Sequence, residues 1–198
     1  MTETPVSPHG VGAIDSPEAA VLTLHSHESW SRPSLEEHTH LTVTFQAGQD
    51  LDQRTSAAAS TVEEFGSPVH AGARGPDGAV AVRLAVTRPA LVKSLVLADC
   101  SPANDLGDVT DDLPSVTVPA LVVAACPDGT SGLEESQTLA GQIPNGVFVV
   151  IDHVELPAHD SRPASFSAWS NSFISIVEGL RSLDSDAVTV SSAPATPA

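Results

Sequence analysis

The chain has 198 residues, of which 25 are acidic and 8 are basic, so its net charge at neutral pH is −17. This length predicts one domain that is large enough to bury a core. The acidity argues against binding to nucleic acid or to anionic lipid, because both need clustered Lys and Arg side chains.

The sequence has neither a recognisable export signal nor a recognisable membrane-spanning segment. No apolar run approaches the roughly 18 residues of a transmembrane helix, and the N-terminus does not have the basic and then apolar pattern of a signal peptide. The two cysteines, Cys100 and Cys126, lack the spacing of a metal site. We therefore expect a cytoplasmic protein without a cofactor. The abundance of Ala, Val, Asp and Pro, with no Tyr, is typical of a bacterial genome of high GC content.

The chain is predicted to begin and end with irregular segments. Residues 1–18 contain Pro and Gly without apolar periodicity and predict a flexible lead-in. Residues 184–198 are small and polar, contain Pro, and predict a disordered tail. The domain itself is expected over residues 19–183. Within it, six short runs are apolar on both faces and predict strands of a parallel sheet: 20–24, 41–45, 69–73, 94–98, 120–125 and 147–151.

Helices are predicted between these runs, over 56–65, 77–88 and 133–142. Asp77 suits the start of the second helix, and Gly66 suits the end of the first. A last helix starts at Pro163 with Ser161 as its cap, and its apolar face is expected to carry Phe166, Trp169, Phe173, Ile176, Val177 and Leu180. Residues 100–117 contain four Asp and no periodicity, and they predict a surface loop.

This alternation of strands and helices predicts a doubly wound α/β fold, with a mostly parallel sheet of about six strands and helices on both faces. Four stretches then resemble the α/β-hydrolase family. Residues 78–99 resemble the helix after its nucleophile turn and the next strand, and residues 119–151 resemble the strand, acid turn, helix and strand that follow. The start of the final helix at Pro163, and the strand and turn over 21–30, also resemble the family. The resemblance covers residues 20–182 and implies a fold without a lid and without the family's first strands, because only the loop over 100–117 lies where the family inserts its lid.

The resemblance implies that the catalytic nucleophile is missing. The family places a Ser, Cys or Asp in a tight G-x-S-x-G turn between a strand and a helix. The matching residues, 68–79, read PVHAGARGPDGA, and the nucleophile position falls on Gly75, which has no reactive side-chain atom. Pro76 follows at the position of an oxyanion-binding amide, and proline has no N–H. Ordinary Ser-His-Asp hydrolysis is therefore not expected.

The other catalytic positions are partly kept. Asp128 falls on the family's acid position, although Pro-Asp-Gly is also an ordinary turn sequence. The histidine position falls on Leu156, with His153 and His159 three residues to either side as candidates for a displaced base or as ordinary loop histidines. Cys100 ends a predicted strand and is a candidate nucleophile, or else a buried packing residue.

Ligands bind at the carboxyl ends of parallel strands, and six residues are expected there. They are His25, Ser26, Arg74, Gly75, Asp77 and Asp99. For Arg74 and Asp77 the alternative is an ion pair or a helix cap. Two H-x-H pairs, His25 with His27 and His38 with His40, have no spaced Cys or Glu partner, so we expect no metal.

Three functions stay open. The missing nucleophile favours a hydrolytically inactive protein, a pseudoenzyme, which binds an apolar small molecule or guides it through a cyclisation-type (cyclase) reaction. The second is a divergent hydrolase or lyase that uses relocated residues such as Cys100, Asp128 and His153 or His159. The third is an interaction module or a truncated hydrolase without enzymatic activity, and exposed apolar surface on it would favour a homodimer.

Overall fold

The computed structural model describes residues 19–26, 38–129 and 133–191, with side chains up to residue 183. The predicted lead-in over 1–18, His27, and residues 192–198 of the predicted tail lie outside these described residues.

The strands are β1 (Ala20–His25), β2 (Thr39–Thr44), β3 (Val69–Arg74), β4 (Val92–Ala98), β5 (Ala103–Asn104), β6 (Gly107–Asp108), β7 (Ala120–Cys126) and β8 (Gly146–Asp152). Six of them form one sheet in the order β2-β1-β3-β4-β7-β8, and every pair in it is parallel. These are the six predicted strands, and their ends agree with the prediction to within two residues.

The helices are α1 (Leu51–Phe65), α2 (Gly78–Thr87), α3 (Glu134–Gln142), α4 (Ala158–Ser161) and α5 (Pro163–Ser191). α1 begins five residues before its predicted start because Asp50 and Gln53 form a capping box, in which each side chain accepts a hydrogen bond from the other's backbone N–H. It ends at Gly66, whose φ of +81° is the left-handed conformation that glycine adopts without strain.

Helices cover both faces of the sheet, as the predicted doubly wound fold requires. On β4, Leu95 and Leu97 pack into the core shared with α1, α2 and α3. The alternate residues Val96 and Ala98 face the other side, where Phe166 of α5 packs. This alternation is the period of two that a strand imposes on its side chains, and it explains why the strand is apolar on both faces.

The buried face of α5 differs from the predicted face. Phe166, Ser170, Ile174 and Val177 are buried, whereas Trp169, Ile176 and Leu180 are 51%, 61% and 55% exposed. The buried residues follow a spacing of four, four and three, so they form one row along the helix. Trp169, Ile176 and Leu180 form a second row that faces away from the sheet. Ser161, the predicted cap, lies in α4.

α5 also continues to Ser191, past the predicted domain boundary at residue 183. After Gly179 the chain has no helix-breaking residue before Pro194, so nothing in the sequence stops the helix earlier. The predicted tail therefore begins with helix over its first eight residues.

The predicted surface loop over 100–117 is partly a packed element. It forms the hairpin of β5 and β6, followed by a 3-10 segment over Thr110–Ser115. Val109, Leu113 and Val116 are buried in the same core as α2. Their spacing of four and three residues was hidden by the surrounding aspartates. No lid-sized insertion lies between β4 and β7, a stretch that the structure describes completely.

Candidate functional site

The candidate site lies where the order of the strands reverses. β1 lies between β2 and β3 in the sheet. β1 is followed in the chain by β2 on one side and β3 by β4 on the other side, so a crevice opens between the carboxyl ends of β1 and β3. His25 and Ser26 stand at the end of β1, and Arg74 and Gly75 stand at the end of β3.

A cavity of about 600 Å³ occupies this crevice. The structure brings together there all six residues that were predicted for ligand binding, His25, Ser26, Arg74, Gly75, Asp77 and Asp99, together with Leu156 at the family's histidine position. A smaller cavity of about 340 Å³ shares Asp99 and Leu156 with the first, so the two adjoin.

Four further lining residues were not predicted: Arg54, Pro76, Asp105 and Leu106. The sequence held a signal for Arg54, because it falls on the same face of α1 as Leu51, Ala58 and Val62. A cation on the apolar face of a helix is costly to bury unless it has a partner, so it indicates a buried ion pair.

The turn after β3 has its left-handed residue at Gly75, the position predicted for the nucleophile. Gly75 has a φ of +51°, while Arg74 before it and Asp77 after it have φ values of −130° and −70°. The left-handed residue is therefore the one that the resemblance to the α/β-hydrolase family, described above, assigns to the nucleophile position. Apart from its chain neighbours, no atom of the described residues lies within 4 Å of a Cβ placed on Gly75, so among these residues the cavity is open above it.

Asp77 is the centre of a buried polar cluster at the floor of the cavity. Its Oδ2 accepts a hydrogen bond from the backbone N–H of Ser26 at 2.8 Å, and its Oδ1 accepts one from the Ser26 hydroxyl at 2.5 Å. The Arg54 guanidinium lies 3.0 Å from the same Oδ1 and also donates to the Ser26 hydroxyl oxygen. Asp77 is the N-cap residue of α2, but its side chain makes no capping hydrogen bond. Of the two alternatives for Asp77, the ion pair is therefore the one observed.

This cluster occupies one backbone N–H, that of Ser26, which the resemblance to the family would assign to oxyanion binding. The turn at Ser26 resembles the place of one oxyanion donor in the family, and here the Ser26 amide already donates to a carboxylate. Pro76 offers no N–H at the other donor position. Stabilisation of an oxyanion needs donors that are aimed at the substrate, and these two are not available.

Asp99 positions neighbouring elements through both carboxylate oxygens. Oδ1 accepts from the N–H of Ala125 in β7 at 2.7 Å, and Oδ2 accepts from the N–H of Ala158 in α4 at 2.9 Å. Its φ of +50° directs the side chain toward these donors at the point where β4 ends. Asp99 thereby fixes the wall that the two cavities share.

His153 and the acid turn lie side by side, away from the main cavity. The His153 N–H donates to the Cys126 carbonyl at 2.8 Å, and a Cβ on Gly129 would lie 3.3 Å from His153 Cε1. Asp128 belongs to this turn. The His153 side chain is 74% exposed and pairs with Asp152 at 3.4 Å. Neither His153 nor Asp128 lines the cavity above Gly75.

His159 is a buried residue of α4 rather than a loop histidine. It is 2% exposed, and its ring meets Phe166 edge to face at 5.9 Å between centroids. Burial lowers the pKa of its imidazole, and the charge of Arg74 lowers it further, against the opposing charges of Asp160 and Asp99. Leu156, at the family's histidine position, is 60% exposed and presents only hydrocarbon to the cavities.

Cys100 is placed as a packing residue. It is 2% exposed, its thiol donates to the Ala98 carbonyl at 3.3 Å, and a Cβ on Gly78 would lie 2.6 Å from its sulfur. Burial raises the pKa of the thiol, and the charges of Asp99 and Asp77 raise it further. Because the thiolate is the nucleophilic form, this environment suits the packing alternative.

Of the two histidine pairs, the structure describes His25, His38 and His40, because His27 lies outside the described residues. Within β1 and β2, Val21 is paired with His40 and His25 with Thr44, so the two histidines lie at opposite ends of the strand pair. His25 Nε2 is 3.2 Å from the Thr44 hydroxyl. Within residues 19–26, 38–129 and 133–191, no three His, Cys, Asp or Glu residues are arranged to hold a metal ion.

Across the same ranges, no helix has the length and apolar character to cross a membrane.

Comparison with known proteins identifies the fold. No protein-family model matches the sequence, and no curated protein is similar to it in sequence. Solved structures that resemble it include MGS-M2, an α/β hydrolase from a deep-sea metagenome (TM-score 0.69, 13% identity, 83% of this chain and 92% of that chain covered). A thermophilic esterase from Thermogutta terrifontis matches with a TM-score of 0.67 at 14% identity, over 80% of this chain and 90% of the esterase. The serine hydrolase CarC of carbazole degradation matches with a TM-score of 0.68 at 16% identity, over 80% and 91%. The chain therefore has the α/β-hydrolase fold.

Proposed function

We propose that this chain is a hydrolytically inactive protein of the α/β-hydrolase fold, which binds an apolar small molecule in the cavity above Gly75 or guides it through a cyclisation-type reaction. The observation that carries the proposal is the turn after β3. Its backbone is left-handed at Gly75, but Gly75 supplies no attacking side-chain atom and Pro76 supplies no amide N–H.

The cavity supports a binding role. Its volume of about 600 Å³ falls within the range of small-molecule sites. Pro76, Leu106 and Leu156 provide apolar walls. The Arg54–Asp77–Ser26 cluster is already internally paired, so it offers a preformed polar floor that costs little to keep when a ligand enters.

The divergent-hydrolase alternative lacks an assembled set of groups. Cys100 is buried, whereas His153 and Asp128 lie beside a different turn, outside the main cavity. Esterases and serine hydrolases among the similar structures share the fold, and a shared fold does not by itself carry the reaction.

Binding of the neutral fluorescent probe N-phenyl-1-naphthylamine tests the proposal. We expect saturable binding to the unmodified chain and an affinity loss of about tenfold in Leu156→Lys, because a charge replaces an apolar wall of the cavity. Leu180→Lys is the matched control, since Leu180 is similarly exposed but lies on α5. We also expect no hydrolysis of p-nitrophenyl acetate or butyrate. Ester turnover by the pure chain, or equal probe binding by both variants, would contradict the proposal.

A further inference from the structure

The charged groups of the main cavity are unevenly paired. Arg54 is bound by Asp77 and Ser26, so its charge is compensated inside the protein. Asp99 has both carboxylate oxygens occupied by backbone N–H groups. Asp105 is exposed at the rim, where water solvates it.

Arg74 is different. It ends β3, directly before Gly75, lines the cavity and is half-buried. Among the residues that the structure describes, no carboxylate lies within ion-pair distance of its guanidinium, and no acceptor is hydrogen-bonded to it. Its charge nevertheless acts inside the protein, because it helps burial to lower the pKa of His159. A half-buried guanidinium without an acceptor has lost solvation and gained no partner.

The chemistry of the guanidinium specifies what would pair with it. Its planar fork of N–H donors matches the two oxygens of a carboxylate, and such bidentate contacts are shorter and stronger than neutral hydrogen bonds. In the part of the chain that the structure describes, only the chain neighbours of Gly75 come within 4 Å of a Cβ placed on it. A ligand can therefore reach Arg74 across Gly75 while its body lies against Leu106 and Leu156.

We propose that the cavity binds a carboxylic acid with an apolar body, and that Arg74 is the residue that binds its carboxylate. This inference rests on the proposed binding function of the cavity and names the class of ligand. The other carboxylates and the net charge of −17 disfavour anions in general. The site therefore accepts an acid through direct contact with Arg74 rather than through long-range attraction.

Matched acids and alcohols test this inference. We would measure binding of 4-phenylbutyrate and 6-phenylhexanoate, and of the alcohols of the same length, by calorimetry. We expect the unmodified chain to bind each acid about tenfold more tightly than its alcohol. Arg74→Gln should remove this preference, so that each acid binds no more tightly than its alcohol, and Arg74→Lys, which keeps the charge but not the fork, should fall between. Arg88→Gln, an exposed arginine outside the cavity, should behave as the unmodified chain.

The outcomes separate the two proposals. Equal binding of acids and alcohols, or a preference for acids that persists in Arg74→Gln, would overturn the role of Arg74 and leave the apolar cavity standing. Failure of the unmodified chain to bind any acid or alcohol of the series would overturn both. The thermal midpoint of each variant shows whether a loss of affinity reflects loss of folding instead.

Discussion

At the scale of single residues, the buried pair of Arg54 and Asp77 controls the floor of the cavity. The side chains are 10% and 6% exposed, and Ser26 completes their hydrogen bonds. A buried ion pair contributes little net stability when it is intact, but removal of one partner leaves a charge without compensation. The cluster links the end of β1, the start of α1 and the turn after β3.

We therefore expect Asp77→Asn to lower the free energy of unfolding by about 2–4 kcal/mol, because it leaves the Arg54 charge buried and unpaired. Urea unfolding at neutral pH measures this loss. The double variant Arg54→Met/Asp77→Asn should recover part of it, since the unpaired charge is gone. Asp52→Asn serves as control, because Asp52 is 85% exposed and its contact with Arg83 is long, at 3.7 Å. A loss as small as that of the control would contradict the role of Asp77.

Gly75 allows a second prediction at this scale. Gly75→Ser should lower the free energy of unfolding by about 1 kcal/mol, because a residue with a Cβ is disfavoured at a φ of +51°, although the side chain itself has room. Hydrolysis of p-nitrophenyl acetate by this variant should stay at the uncatalysed rate, since Leu156 supplies no imidazole. Gly75→Ala controls for the backbone effect. Turnover by the serine variant that the alanine variant lacks would show that a base reaches this position.

The sequence placed Gly75 correctly in the turn between β3 and α2, but it did not predict the network below this turn. A strand, a small-residue turn and a helix have fixed spacing, so counting along 68–79 was sufficient. The bond between Asp77 and Ser26 joins residues that are 51 positions apart, and no local pattern encodes such a contact. Asp77 also resembles a helix cap in sequence, because a short carboxylate before a helix is typical of one.

At the scale of elements, α5 is attached to the sheet by a buried polar group as well as by apolar packing. His70 in β3 lies between Ser94 of β4 and Glu178 of α5, with distances of 2.8 Å from Nδ1 to the Ser94 hydroxyl and 2.8 Å from Nε2 to the Glu178 carboxylate. Lys93 binds the same carboxylate oxygen at 2.7 Å. Phe166 and Val177, which precede Glu178 in α5, bury the helix along the stretch that leads to this contact.

This contact predicts a pH dependence of stability. Burial lowers the pKa of His70 from 6.5 to about 4, against the opposing effect of Glu178, while Lys93 and His38 lower it further. Between pH 6.5 and 4, His70 is therefore protonated in the unfolded chain and neutral in the folded chain. Its contribution to the free energy of unfolding is complete above pH 6.5 and is lost as the pH falls toward 4. The loss attributable to His70 is about 3 kcal/mol. Burial acts to raise the pKa of Glu178, but hydrogen bonds from Lys93 and His70 lower it overall, so its contribution has the same direction.

Urea unfolding between pH 4.5 and 7.5 measures this effect. We expect His70→Gln to flatten the slope over this range, since the variant removes the group that titrates. His153→Gln should keep the slope, because His153 is 74% exposed in the folded chain. Equal slopes for the unmodified chain and His70→Gln would contradict the assignment, whatever the variant does to stability at neutral pH.

Apolar periodicity in the sequence predicted some of these elements and their buried faces but not others. Strands that are apolar on both faces could be located because a buried parallel sheet imposes that pattern. The buried side of α5 could not, because two rows of the helix carry apolar residues and only contact with the sheet selects between them. The packing of 100–117 was missed for a related reason, since Asp111 and Asp112 separate Val109 from Leu113, and a Pro and a Ser separate Leu113 from Val116.

At the scale of the whole molecule, topology creates the site. The crevice between the ends of β1 and β3 follows from the reversal of strand order, and the cavity residues come from segments that are up to 131 positions apart, from His25 to Leu156. The sequence indicated which residues end strands, and therefore which residues meet. It did not indicate that the cavity holds two arginines, one of which is internally paired.

The net charge of −17 provides the last prediction, because it acts on the folded state as a whole. Like charges that are fixed on one compact surface repel each other, and salt shortens the range of that repulsion from about 20 Å in 20 mM NaCl to about 6 Å in 300 mM. The buried Arg54–Asp77 pair is screened much less than surface charges. We expect the thermal midpoint to rise by about 3 °C between these salt concentrations. Glu63→Lys/Glu64→Lys, which reduces the negative charge at two exposed positions of α1, should show a smaller rise. A midpoint that falls with salt would mean that attractive surface pairs, such as Arg83 with Asp112, outweigh the repulsion.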